Sequence, residues 1–121
     1  MTQRLWNSFK AALCGFRDVL RFENSFRIMA LVAFVVVLLM FYFPTTRTEK
    51  AVLLTAIFAV LGLELVNSVV ERILDFIHAE QHMKIKHMKD LMAAIVLLAA
   101  VGATAIGILV FWPYVFNGAR F

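Results

Sequence analysis

A single cysteine, Cys14, excludes an intrachain disulfide and a cysteine metal cluster and leaves the redox compartment open. Charge is scarce too. Asp, Glu, Lys and Arg make up 17% of the chain, where soluble domains carry about a quarter. No G-x-x-x-x-G-K-[ST] phosphate loop and no dinucleotide fingerprint occur; the run GATAIG has two glycines but lies in an apolar stretch without a lysine. A nucleotide site here would have to be built from carboxylates, metal and basic side chains. The N-terminus does not read as a signal peptide, because Arg4, Lys10, Arg17 and Arg21 interrupt it and no apolar core precedes Phe26.

What the chain does have is apolar sequence: 63% of its 121 residues, gathered in blocks. That distribution predicts a single membrane-embedded domain, 1–121, rather than an apolar soluble one. The net charge of +4 comes from basic residues flanking the blocks. There they serve as topology signals and headgroup contacts, not as a nucleic-acid surface.

The fold expected is all-α: three transmembrane helices preceded by an amphipathic interfacial helix. Over 4–22, Leu5, Phe9, Leu13, Phe16 and Leu20 recur at helical steps among basic residues, which suits the membrane surface. The first span, 26–43, is about 27 Å long, just enough for the hydrocarbon core. Pro44 stops it and TTRTEK makes the turn. The second helix, 51–77, is apolar only to Leu63 and then emerges with a polar face. The third, 91–112, carries Ala99, Ala103 and Gly107 four apart, a spacing that favours close helix approach, with Trp112 and Tyr114 as interfacial anchors. The bias of Arg and Lys toward the N-terminus and the 76–89 loop predicts a cytoplasmic N-terminus and an external C-terminus.

Glu64, Asn67, Glu71 and Asp75 stand at steps of three, four and four on one helix face, with Ser68 beside them. Glu64 falls about 20 Å along the helix from Ala51, near the edge of the hydrocarbon, where an ionisable group is kept only if paired, hydrated, protonated or metal-bound. Three readings follow from the residues alone: a magnesium and acid–base site, a polar packing seam, or ion or proton transport. Glu23 is either a capping residue at a helix join or a third carboxylate at the same depth, and such carboxylates prefer a hard cation such as magnesium. Lys89 and Asp90 open the third span, either marking the membrane boundary or meeting phosphates. His78, His82 and His87 with Met83 and Met88 admit a soft metal or, more simply, an interfacial surface.

Taken together, these fragments resemble the prokaryotic diacylglycerol kinase family, small integral-membrane lipid kinases that include undecaprenol kinases. ELVNSVVERILD is similar to the family's E-x-x-N-[ST]-x-x-E-x-x-x-D. AEQH and the KD of Lys89 and Asp90 follow in order; Phe9, Ala12 and Gly15 match F-x-x-A-x-x-G; and ENSFRI matches the junction before the first span. The resemblance implies a homotrimer in the bacterial inner membrane with active sites shared between subunits, using ATP and Mg2+. It implies Glu23 and Glu71 as the magnesium pair and Glu64 as the base at the lipid hydroxyl. Asn67 would support that site, with Lys89 toward phosphate and Asp90 its companion. Asp75 and Glu80 would lie on the nucleotide side, with His82 just after. Met29, Met88, Met92, Ala94 and Ile95 depart from the family pattern and blur the subgroup: NSFRI leans toward undecaprenol kinases and ELVNS toward diacylglycerol kinases. The expected substrate is diacylglycerol, the alternative undecaprenol. A small ion-coupled transporter or a structural membrane protein is the reading of another class.

Overall fold

The computed structural model describes residues 1–77 and 82–117, the side chain of residue 82 excepted. It contains four helices in chain order: α1 (Thr2–Phe22), α2 (Asn24–Tyr42), α3 (Arg47–Ile77) and α4 (His82–Phe116). The last three are long and apolar enough to cross a membrane, and α1 is not among them. The all-α, three-span architecture is therefore as the sequence predicts, and the chain is a multi-pass membrane protein.

Side-chain exposure fits lipid as the solvent. Leu98, Leu109 and Phe41 are each more than 70% exposed, an arrangement that water would penalise and that hydrocarbon accepts. The 19 residues of α2 match the bilayer core, whereas the 31 of α3 and 35 of α4 run to about 46 and 52 Å. Both therefore project well beyond the hydrocarbon, whose thickness is about 30 Å. Because 78–81 joins them, they project on the same side, and Glu64–Asp75 lies on that half of α3.

The helix ends differ from the expected ones for local reasons. α4 begins at His82 rather than Leu91, because 82–90 holds neither glycine nor proline and Lys86 pairs with Asp90 one turn on. At the other end α4 continues through Pro113 to Phe116. Pro44 does end α2: Phe43, before it, is forced to extended backbone (φ −90°, ψ 151°).

The α2–α3 turn is tied closely. Thr45 donates to the Met40 carbonyl (2.8 Å), an acceptor that the end of α2 leaves open, and Lys50 donates to the Thr45 carbonyl in the turn (2.7 Å). Thr46 and Glu49 form a reciprocal capping box at the start of α3, each side chain accepting the other's backbone N–H. Beside it Met40, Leu53 and Val110 form the tightest apolar cluster. Tyr114 donates to Glu49 and stacks on Phe43. Tyr114 is thus a buried packing residue, while Trp112 stays half-exposed as an interfacial anchor would.

Candidate functional site

At the opposite end, α1 and α2 meet at Glu23. Its backbone is extended (φ −108°, ψ 103°); its N–H still bonds Val19, and its carbonyl accepts from Arg27. Arg27 turns back to donate to the carbonyls of Leu20 and Arg21, closing the end of α1. Glu23 therefore occupies the capping position of α2 with its backbone alone, and its side chain caps nothing. The carboxylate instead accepts from Arg72 of α3 at 3.0 Å, and the same guanidinium bonds Asp18 of α1 at 2.7 Å. Arg72 follows Glu71, so Glu23, at the joint of α1 and α2, lies beside the turn of α3 that carries Glu71, the other carboxylate expected to hold a cation.

About two turns deeper on α3, Glu64 is only 3% exposed. Its Oε2 accepts from the Ser25 hydroxyl of α2 at 3.1 Å. Ser25 is its only hydrogen-bond donor among the described residues. Among the described residues Oε1 has no hydrogen bond, and it is not sealed from outside. One turn along, the Asn67 side-chain oxygen is buried without a partner among the described residues. A buried acceptor in that condition is unusual and costly, and such groups gather at working sites.

Lys89 donates to Asp75 at 2.6 Å, bringing α4 onto the outer part of the carboxylate face. Asp90 does not accompany it: it pairs with Lys86 at 2.8 Å on another side of α4. Glu71 is half-buried and forms no side-chain hydrogen bond among the described residues. The structure thus brings Glu64 and Asn67 together on α3, Glu23 to the level of Glu71, and Lys89 to Asp75. It leaves Asp90 apart. Glu80 and His78 lie outside the described residues, as does the His82 side chain. Among the described residues no three His, Cys, Asp or Glu side chains form a metal-ligand group.

Ser25, Arg72 and Asp18 have no assigned place in the sequence reading. Ser25 enters there only as a letter of ENSFRI. For Arg72 a signal existed, a cation inside an acidic face. For Ser25 none did.

Between α2, α3 and α4 lies an apolar cavity of about 670 Å3, lined among others by Met29, Val60, Leu61, Ala103 and Gly107. Met29 is one turn on from Ser25, and Leu61 is nearly one turn from Glu64. The cavity therefore ends about one helical turn from the Ser25–Glu64 contact, neither of whose residues lines it, and runs toward the α2–α3 turn. Gly107 and Ala103, two of the three small residues at four-residue spacing, open it rather than close it.

A profile of the family described as prokaryotic diacylglycerol kinase matches residues 10–111. A diacylglycerol kinase of Haemophilus influenzae is 34% identical over 109 residues, 88% of this chain and 92% of the relative. One from Pseudomonas aeruginosa is 30% identical, covering 76% of this chain and 75% of its own. An undecaprenol kinase of Bacillus subtilis is 31% identical, covering 91% and 89%. With a buried carboxylate at membrane depth, a second acidic tier at the helix join and matches along nearly its whole length, the chain belongs to the prokaryotic diacylglycerol kinase family of membrane lipid kinases.

Proposed function

We propose that this protein transfers the γ-phosphoryl group of ATP to the hydroxyl of diacylglycerol at the inner face of the bacterial cytoplasmic membrane, giving phosphatidic acid and ADP. The observation that carries the reading is Glu64: a carboxylate buried in a membrane helix with one oxygen bonded to Ser25, the other oxygen and the Asn67 amide oxygen one turn on having no partner among the described residues. Such a group suits proton abstraction from an alcohol that reaches it from the bilayer. The apolar cavity beside it suits the chains of that alcohol.

Glu64 Oε1 accepts the hydroxyl proton, and Asn67 orients the hydroxyl. The lipid oxygen bonds to the γ-phosphorus as the bond from that phosphorus to the bridging oxygen breaks in line, and ADP leaves. Lys89 exchanges Asp75 for phosphate oxygens and offsets their charge. Glu23 and Glu71 would hold Mg2+, which is commonly held by one or two carboxylates together with substrate phosphates. When bound, the ion supplies charge neutralisation on the triphosphate. Arg72 keeps the Glu23 carboxylate level with Glu71. Asp90, on its own side of α4, and Asp75 and Glu80 belong to the nucleotide side in this reading. Completion of the site by helices of neighbouring subunits in a homotrimer accounts for the lack of a nucleotide domain in one chain.

The deciding experiment is phosphorylation of lipid in mixed micelles by purified protein with Mg-ATP, offering diacylglycerol and undecaprenol side by side. Faster turnover of diacylglycerol is expected. Preference for undecaprenol would establish the second reading, which the similarity to an undecaprenol kinase favours. Turnover of neither would remove the kinase reading. Glu71→Gln is expected to lower turnover by about 100-fold or more if it is a metal ligand, and a near-normal rate would dismiss that role.

A further inference from the structure

Serine in the first turn of a helix ordinarily bonds the local backbone. Ser25 does not: no side chain caps α2, and the Ser25 hydroxyl crosses to Glu64, 39 residues away in sequence. Glu64 receives no other hydrogen bond among the described residues, although it is almost fully buried. A glutamate carboxylate turns about three side-chain torsions. In a buried site its desolvation is relieved only by donors, and here the donor is one hydroxyl.

We propose that Ser25 is a positioning residue for catalysis, holding Glu64 Oε2 so that Oε1 is presented to the lipid hydroxyl. This rests on the reading of Glu64 as the base. The division of labour follows from the two oxygens: the one bonded to α2 cannot swing, and the open one faces substrate. Placement matters because a displacement of about 1 Å from a reactive geometry can lower a rate by about 100-fold. The contact also fixes α2 against α3 one turn from the mouth of the apolar cavity. The chain entering the cavity and the carboxylate meeting its hydroxyl are thereby held in register.

The test compares Ser25→Ala, Ser25→Thr and wild type in lipid kinase assays on the purified full chain, with kcat and both KM values measured. Ser25→Ala is expected to lower kcat about tenfold, with KM for Mg-ATP and for lipid within about twofold. Ser25→Thr, which keeps the hydroxyl, is expected to restore most of the rate. In a Glu64→Asp background, whose shorter side chain cannot reach Ser25, Ser25→Ala should add little further loss. Wild-type kcat in Ser25→Ala, failure of Thr to rescue, or an equal loss in the Glu64→Asp background would each overturn the proposal. Should Glu64→Asp turn over too slowly to measure, rescue by Thr decides alone. A fall seen only in KM would also overturn it, because that places Ser25 in binding. A separate Glu64→Gln variant with near-normal turnover would refute the base itself, whatever Ser25 does.

Discussion

Lys89 Nζ lies 2.6 Å from Asp75 Oδ1, joining α4 to α3 on the projecting part of the acidic face. The two side chains are 38% and 67% exposed, and exposed pairs of this kind contribute little to stability. The lysine can therefore leave its partner for a phosphate at small cost. Lys89→Met is expected to raise KM for Mg-ATP or lower kcat by about tenfold or more. Its unfolding midpoint in detergent should stay within about 3 °C of wild type. A large drop in the midpoint would make Lys89 structural instead.

The Asn67 oxygen, buried without a partner among the described residues, sets stability against function. A buried acceptor without a donor costs about 1–3 kcal/mol. Asn67→Leu, close in volume, is thus expected to unfold at the same or a higher temperature while losing most kinase activity. Lower stability together with retained activity would show that the amide serves packing.

Thr46 stands at the far end of α3 from the acidic face, where it completes the capping box with Glu49. Thr46→Ala is expected to destabilise the fold by about 1 kcal/mol, leaving KM for both substrates unchanged. Scanning calorimetry and the kinase assay together check this.

Cys14 is exposed on α1, on the side away from Leu5, Phe9, Leu13, Phe16 and Leu20. It is the only cysteine, so it reports topology without engineering. A membrane-impermeant maleimide should label inverted membrane vesicles and leave intact spheroplasts unlabelled. The opposite pattern would reverse the orientation.

The three spans were legible because hydropathy blocks alone decide them. So was the acidic face, because Glu64, Asn67, Glu71 and Asp75 are fixed on one side of α3 by helical spacing. Which residue each would meet was not legible. α2 and α4 are apolar nearly all round, so no periodicity specifies how they rotate against α3. The Ser25–Glu64 contact depends on that rotation. Adjacent residues of a helix point in divergent directions, which is why Lys89 and Asp90, joined in the sequence reading, find separate partners in Asp75 and Lys86. Glu23 left two roles open; its backbone takes the capping place, and its carboxylate, which caps nothing, pairs with Arg72. The early start of α4 carries no hydropathy signal, because 82–90 is charged and hydropathy reports lipid contact rather than helicity.

The cross-brace from Arg72 to Asp18 and Glu23 has a mechanical consequence. α1 passes into α2 through the extended backbone at Glu23, and Arg72 ties both sides of that joint, Asp18 and Glu23, to α3. One guanidinium thus governs both contacts: a neutral residue at 72 would release Asp18 of α1 and the Glu23 carboxylate from α3 together, while the Ser25–Glu64 contact keeps its own atoms.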